Sequence, residues 1–266
     1  MLAAIQLNSQ ADPAANLSEA VRWIQAAAAA GADVVALPET FLYIGPSGQT
    51  AQHIQALDGP VMQELRHLSQ TLGIYLLAGS IHEAVPDSDK LYNTACWLGP
   101  DGQRLSVYRK IHLFDIDAPS VRLKESDTFL AGDTDQQPLL QTPLGCFGTS
   151  ICYDLRFPEF YRRLALGGAE VIFVPAAFTH PTGQAHWELL LRARAIENQV
   201  YIVAPNQCGR HPGGRHSYGH SLIIDPWGDI LAQAGTEPGF ILAAFSAERL
   251  QQVRRQLPCL QHQRLL

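Results

Sequence analysis

The sequence predicts an α/β fold with a mixed sheet, and three observations carry that expectation. Short apolar runs of strand length alternate with longer stretches of helical spacing from one end of the chain to the other. The opening reads strand, helix, strand, which implies parallel neighbours joined by a right-handed crossover. Two turn signals, Gly99-Pro100-Asp101-Gly102 and Pro226-Trp227-Gly228, lie between strand-like runs and add antiparallel hairpins. No fixed-period repeat, low-complexity tract or composition break interrupts the pattern, so residues 1–266 read as one domain.

Taken in order, Ala3–Leu7 is the first strand. Asn16 is the expected cap of a helix over Leu17–Ala30, where Leu17, Val21 and Ile24 share a face and Gly31 stops the run. Val34–Leu37 is the second strand, and it delivers Pro38-Glu39-Thr40 to its carboxyl edge, where ligands collect in open α/β sheets. Asp58-Gly59-Pro60 opens a helix that reaches Leu72 before Gly73. Ile74–Ser80 is a strand, and Asn93–Leu98 with Arg104–Arg109 form the first hairpin. Leu113–Asp135, with charges at Asp115, Asp117, Lys124, Glu125 and Asp127, is expected to be a long irregular loop with a function.

Gly145–Ile151 is a buried strand that hands Cys152 to a turn, and Phe157-Pro158 then opens a helix over Phe160–Leu166 that Gly167-Gly168 closes. Val171–Val174 is a strand, Thr179–Gly183 a loop, and His186–Asn198 a helix with Trp187, Leu190, Leu191 and Ala195 toward the core. Tyr201–Ala204 is a further strand, and Gln207–Tyr218 is a loop rich in glycine and histidine. His220–Ile224 and Ile230–Ala234 form the second hairpin. Phe240–Ala244 is a late strand, Ala247–Gln256 a short helix and Leu257–Leu266 a tail.

Composition narrows the function. With 47% hydrophobic and 17% charged residues the chain can build a sizeable core. A net charge of −6 leaves no basic stripe for a nucleic-acid backbone. No apolar run is long enough for a bilayer, and MLAAIQLNSQ lacks the basic and apolar regions of a secretory signal. Cys96, Cys146, Cys152, Cys208 and Cys259 are odd in number and include no CxxC pair, which predicts free thiols in a cytoplasmic protein. P-loop, GxGxxG and GxSxG patterns are absent, and His211, His216 and His220 match no compact metal-ligand spacing. Neither a cofactor nor a metal is expected.

Glu39, Lys110 and Cys152 are the titratable groups at strand ends or loop entrances. A thiol at its ordinary pKa is a poor nucleophile at neutral pH and needs a partner. Lys110 would favour the thiolate and bind a developing oxyanion, with the Tyr153 N–H as a second donor. Glu39, with a pKa raised in a confined pocket, would serve as general base and then general acid. Together they suit acyl transfer from an amide or nitrile carbon. The structural alternatives are a capping glutamate, a surface lysine and a core cysteine, and spacing alone does not choose between the readings.

Three stretches in order resemble the nitrilase superfamily of carbon–nitrogen hydrolases over nearly the whole chain. They are Leu37-Pro38-Glu39, the run Tyr108–Leu113 (YRKIHL), and Ser150–Glu159 (SICYDLRFPE). The resemblance implies a four-layer α-β-β-α sandwich that forms homodimers, with Glu39 as base, Lys110 as oxyanion stabiliser and Cys152 as nucleophile. It also implies a second carboxylate at Glu125. Phe178–Glu188, Arg192–Gln199 and Gln207–Gly228 are similar to the branch that holds deaminated glutathione amidases and omega-amidases. Gln207–Gly228 favours the former, while Ile111–Asp117 with Lys124–Ser126 resembles the latter at least as well. Both substrates are ω-amides with one α-ketoglutaryl group, whose carboxylate Arg156 would hold with help from the Thr182 hydroxyl. The expected function is hydrolysis of deaminated glutathione. Omega-amidase, true nitrilase and a silent interaction protein are the alternatives.

Overall fold

A computed structural model describes residues 1–46, 48–118 and 121–265. The first half runs β1 (Leu2–Gln6), α1 (Pro13–Ala29), β2 (Val34–Ala36), α2 (Pro60–Leu72), β3 (Tyr75–Leu77), β4 (Ile81–Ala84), β5 (Leu91–Leu98) and β6 (Arg104–Arg109). A hairpin of β7 (Asp115–Ala118) and β8 (Val121–Lys124) follows. The second half runs β9 (Leu139–Thr142), β10 (Gly145–Thr149), α3 (Pro158–Leu166), β11 (Val171–Phe173), α4 (His180–Asn198), β12 (Tyr201–Ala204), β13 (Cys208–Arg210), β14 (His216–Tyr218), β15 (Leu222–Ile224) and β16 (Ile230–Gln233). It closes with β17 (Gly239–Ala243), α5 (Ala247–Gln256) and α6 (Cys259–His262).

Two mixed sheets result. In the first, β1, β2 and β3 are parallel, β17 returns antiparallel onto β1, and the antiparallel strands β5, β4 and β6 complete the other side. In the second, β10, β11 and β12 are parallel, flanked by antiparallel β9 on one side and β15 and β16 on the other. The strand period of two sorts side chains between faces. Leu2, Ala4, Val34, Ala36, Leu77, Ala95 and Trp97 of the first sheet pack with Phe147, Phe173 and Ile202 of the second. Ala3, Ile5, Val35, Leu76 and Leu98 point the other way, onto Ala20, Ile24 and Ala27 of α1 and Met62 and Leu65 of α2. Helices α3 and α4 cover the second sheet through Phe160, Leu164, Trp187 and Leu191. The layers are therefore helices, sheet, sheet, helices, which is the four-layer sandwich expected.

Several sequence expectations are corrected. Helix α1 begins at Pro13, because the Asp12 carboxylate caps it by accepting from the Ala14 and Ala15 N–H groups. Asn16 lies inside that helix and bonds instead to the Gln10 backbone and the Leu42 carbonyl. Ile74–Ser80 is not one strand, since Gly79 adopts φ +50° and separates β3 from β4. The stretch Leu113–Asp135 holds the β7–β8 hairpin and a 3-10 turn over Glu125–Asp127, with Pro119 and Ser120 outside the described residues. Thr179–Gly183 is not a loop, because Thr179 precedes the first turn of α4 and Pro181 sits within it. Within Gln207–Tyr218, β13 and β14 pair as a two-stranded ribbon. The tail carries α6, and its last residue, Leu266, lies outside the described residues.

Candidate active site

Each candidate group sits where a strand of the paired sheets ends. Leu37 N–H donates to Leu77 O at 3.0 Å as the last rung of β2, and Glu39 follows two residues later. A Cβ on Gly79 would lie 2.1 Å from Pro38 O, so only glycine lets the chain leave β3 past this strand end. Lys110 extends β6 by one rung, its N–H donating to Asn93 O at 2.9 Å. Cys152 follows Ile151 after β10, donates its N–H to Pro175 O at 2.9 Å, and adopts φ +43°. Thr40, beside Glu39, adopts φ +50° and donates its N–H to Ser80 Oγ at 3.0 Å. Two non-glycine residues in the left-handed region within one site are backbone strain that the surrounding packing holds in place.

The side chains converge in a buried cluster. Lys110 Nζ donates to Glu39 Oε1 at 2.9 Å and to Glu125 Oε1 and Oε2 at 3.0 and 2.9 Å, with its side chain 1% exposed. Glu39 Oε1 also accepts from Asn93 Nδ2 at 2.8 Å, and Glu39 Oε2 from Ala177 N at 2.9 Å. The Cys152 thiol stands beside the Glu39 carboxylate and the Lys110 ammonium, under the charges of both. Glu125, at the start of its 3-10 turn, is fixed from behind by the Phe114 N–H, which donates to Oε2 at 2.7 Å. Two carboxylates and one ammonium thus share one hydrogen-bonded network, with the thiol beside it.

Their ionisation follows from that arrangement. Burial pushes the Glu39 carboxyl up, but the Lys110 charge, the hydrogen bonds from Lys110 and Ala177 and the neighbouring Cys152 thiol outweigh it and hold Glu39 below its ordinary range. This corrects the expectation of a raised Glu39. The raised carboxyl is Glu125, through burial and the neighbouring Glu39 charge, which together exceed the pull of Lys110. Burial pulls Lys110 down, but Glu125 and Glu39 drive it well above the usual lysine range. Burial and the Glu39 charge lift Cys152 well above an ordinary thiol despite Lys110. The resting group is accordingly a thiol beside a carboxylate, not the thiolate that the Lys110 charge alone would favour. A site of this form can move a proton from sulfur to Glu39 as a carbon–sulfur bond forms, beside a fixed ammonium.

Tyr153 is the second residue of the 3-10 turn over Cys152–Arg156, between the Cys152 N–H and an Asp154 N–H that donates to Ile151 O at 3.0 Å. First-turn N–H groups have no partner within their own helix. The Arg156 guanidinium lies 5.4 Å from the Phe178 ring centre and 5.8 Å from that of Tyr153, and its nitrogens are 3.4 Å from His186 Nδ1. No carboxylate pairs with it among the described residues. The Thr182 hydroxyl is occupied at the start of α4, 2.6 Å from Thr179 Oγ1. Glu188 and Arg192 form the helical pair expected, at 3.5 Å on an exposed face. The histidines of the Gln207–Tyr218 stretch serve packing: His211 bonds Ser9 O and Ser217 Oγ at 2.8 and 2.9 Å, and His216 stacks on His180.

Sequence alone assigned Asp154 no role, yet it joins the segments that carry two of the candidate groups. Fully buried, it accepts at Oδ2 from Tyr108 OH at 2.7 Å and Ile151 N at 2.8 Å. Its Oδ1 accepts from His112 N at 3.2 Å and lies 2.7 Å from His112 Nδ1. One carboxylate therefore ties the segment bearing Lys110 to the segment bearing Cys152. The available signal was an aspartate in an otherwise apolar run, which folds inward only if fully bonded. Asn93 and Gln207 were also missed. Gln207 Nε2 donates to Glu39 O at 3.0 Å and to Ser9 Oγ at 2.8 Å.

Comparison with known proteins points the same way. A family model described as carbon–nitrogen hydrolase matches residues 1–255. A deaminated glutathione amidase of Synechocystis sp. is 44% identical over 98% of this chain and 97% of its own length. An omega-amidase of Xenopus tropicalis is 41% identical over 91% of this chain and 87% of its own. The crystal structure of the Caenorhabditis elegans NitFhit protein matches 99% of this chain at TM-score 0.93 and 39% identity, and the chain spans 64% of that protein's length.

Proposed function

This chain belongs to the carbon–nitrogen hydrolase family, and from that premise we propose that it is an amidase hydrolysing deaminated glutathione to α-ketoglutarate and cysteinylglycine through a thioester on Cys152. It is a hydrolase of carbon–nitrogen bonds other than peptide bonds, in linear amides. The observation that carries the mechanism is the shared buried cluster in which Lys110 Nζ bonds both Glu39 and Glu125 and the Cys152 thiol stands under the charges of all three.

In this reading Sγ of Cys152 attacks the amide carbon while Glu39 takes its proton. Lys110 Nζ and the Tyr153 N–H hold the oxyanion. Glu39 then gives the proton to the departing nitrogen, the C–N bond breaks, and a thioester remains. Water, deprotonated by Glu39, attacks that thioester, and the thiol recovers its proton as the acid leaves. Glu125 keeps Lys110 aimed at the oxyanion. Arg156 holds the carboxylate of the α-ketoglutaryl group, because a guanidinium matches both oxygens, and the Thr182 hydroxyl joins it by exchanging its bond to Thr179.

Similarity to deaminated glutathione amidases over nearly the full length supports this substrate, and the omega-amidase relative supports α-ketoglutaramate as the second reading. Comparing kcat/KM for the two substrates, with Cys152→Ala as control, decides between them. A preference for α-ketoglutaramate makes the enzyme an omega-amidase. Turnover of neither removes the α-ketoglutaryl assignment. Assembly as a homodimer belongs to the same proposal, and sedimentation velocity tests it. So does a cytoplasmic location, which rests on the five free cysteines; no helix among the described residues is long and apolar enough to cross a membrane.

A further inference from the structure

The ribbon of β13 and β14 is basic and has no acidic residue of its own. Cys208–His220 holds Arg210, Arg215, His211, His216 and His220, and no aspartate or glutamate. It is anchored against the site from both ends. At the start, Gln207 bonds the Glu39 carbonyl and Cys208 N–H donates to Leu7 O at 2.8 Å. At the end, Tyr218 N–H donates to Phe178 O at 2.9 Å, one residue beyond the Ala177 N–H that binds Glu39. The tip rests on the Gly45–Pro46 segment, where a Cβ on Gly213 would lie 3.2 Å from Pro46 Cα.

Arg215 sits next to that tip and is exposed. Arg22, Arg104, Arg109, Arg192, Arg194 and Arg249 each pair with a carboxylate, whereas Arg215 pairs with none among the described residues. The buried His82 ring is held down by burial first and by the Arg215 charge second, against the pull of Glu39. Arg215 thus lies on the ribbon whose two ends are bonded beside Glu39 and Phe178. Arg156 stands on the turn that carries Cys152.

With the acyl carbon at Sγ and the acyl carboxylate on Arg156, the amide nitrogen points to Glu39, which must protonate it. Whatever that nitrogen carries extends toward the ribbon anchored on Glu39. We propose that Arg215 binds a carboxylate on the leaving group, so that the site selects amides whose departing amine is itself acidic, as a short peptide ending in a free carboxylate is. The inference rests on the amidase reading above and deepens it.

The test measures kcat and KM for three substrates: deaminated glutathione, the same compound with its glycine carboxylate amidated, and α-ketoglutaramate, whose leaving group is ammonia. The proteins are the parent, Arg215→Ala, Arg215→Lys and Arg210→Ala. One charge-assisted contact supplies roughly a ten- to hundredfold effect, so Arg215→Ala should lower kcat/KM for deaminated glutathione by about that factor, chiefly through KM. The amidated substrate and α-ketoglutaramate should be unchanged, Arg215→Lys intermediate and Arg210→Ala like the parent. Unchanged α-ketoglutaramate turnover also reports a folded site. An equal loss on all three substrates, or no loss on the acidic one, overturns the assignment of Arg215 and leaves the amidase reading standing. A parent enzyme that turns over none of the three overturns both.

Discussion

A buried thiol next to a buried carboxylate can exchange a proton only if something keeps the carboxylate charged, and here Lys110 does so. Glu39 is held low by Lys110 while Cys152 is held high by burial and Glu39, so proton transfer must accompany attack rather than precede it. Glu39→Gln should therefore lower kcat by about 10²- to 10⁴-fold with little change in the circular-dichroism spectrum; parent-like turnover would refute the role. Asp154→Asn removes a charge from four contacts that align Lys110 with Cys152, and kcat should fall while KM for the substrate holds. A change confined to KM would contradict that positioning role. His82 provides a pH prediction. Its ring is pushed down to about 4 by burial first and by Arg215 second, against an ordinary 6.5. The unfolded chain thus binds a proton that the native state refuses between those values. Stability from this group is present above about pH 6.5 and lost as pH falls toward 4, on the order of 3 kcal/mol in all. Urea unfolding at pH 7 and pH 4.5 should show a smaller difference in His82→Phe than in the parent. Glu39, Lys110 and Cys152 were legible in the sequence as candidates at strand ends, and the resemblance chose between their readings. Asp154 and the ionisation of Glu39 were not, because both depend on partners 42 and 71 positions away.

At the scale of elements, the segments that frame the site are those that local patterns described least well. The stretch holding Glu125 reads as a polar loop, yet β7 and β8 pair from Asp115↔Lys124 onward and set the carboxylate against Lys110. The ribbon likewise hides in a glycine- and histidine-rich run, because it is held by contacts to Leu7, Ser9 and Phe178 that lie far away in sequence. Gly183 shows how tightly it docks, since a Cβ there would lie 2.4 Å from Tyr218 Cβ. Gly183→Ala should force β14 away from α4, raising KM for deaminated glutathione more than for α-ketoglutaramate; equal effects would mean the ribbon does not border the leaving group. Most helix starts were legible to within about a turn, whereas α4 begins six residues before the expected His186, and the competing caps decide the rest. Asp12→Ala should cost about 1 kcal/mol of stability because it leaves the Ala14 and Ala15 N–H groups uncapped.

For the molecule as a whole, the alternation of strands and helices announced an α/β protein, and the resemblance supplied the two-sheet arrangement that alternation alone does not specify. What joins the sheets is legible only in three dimensions. Trp97 of the first sheet packs against Phe147 and Phe173 of the second, and its Nε1 donates to Thr149 Oγ1 at 2.8 Å. Because the sheets meet there, their ends open onto one place and bring Glu39, Lys110 and Cys152 together from three different strands. Trp97→Ala should cost about 3–5 kcal/mol, read from urea unfolding. The central claim is that every substrate passes through one acyl group on Cys152, and partitioning with hydroxylamine tests it most directly. Deaminated glutathione and α-ketoglutaramate, which share an acyl group but not a leaving group, should give the same ratio of hydroxamate to acid at each hydroxylamine concentration. A ratio that changes with the leaving group, or one that survives in Cys152→Ala, would contradict a common thioester.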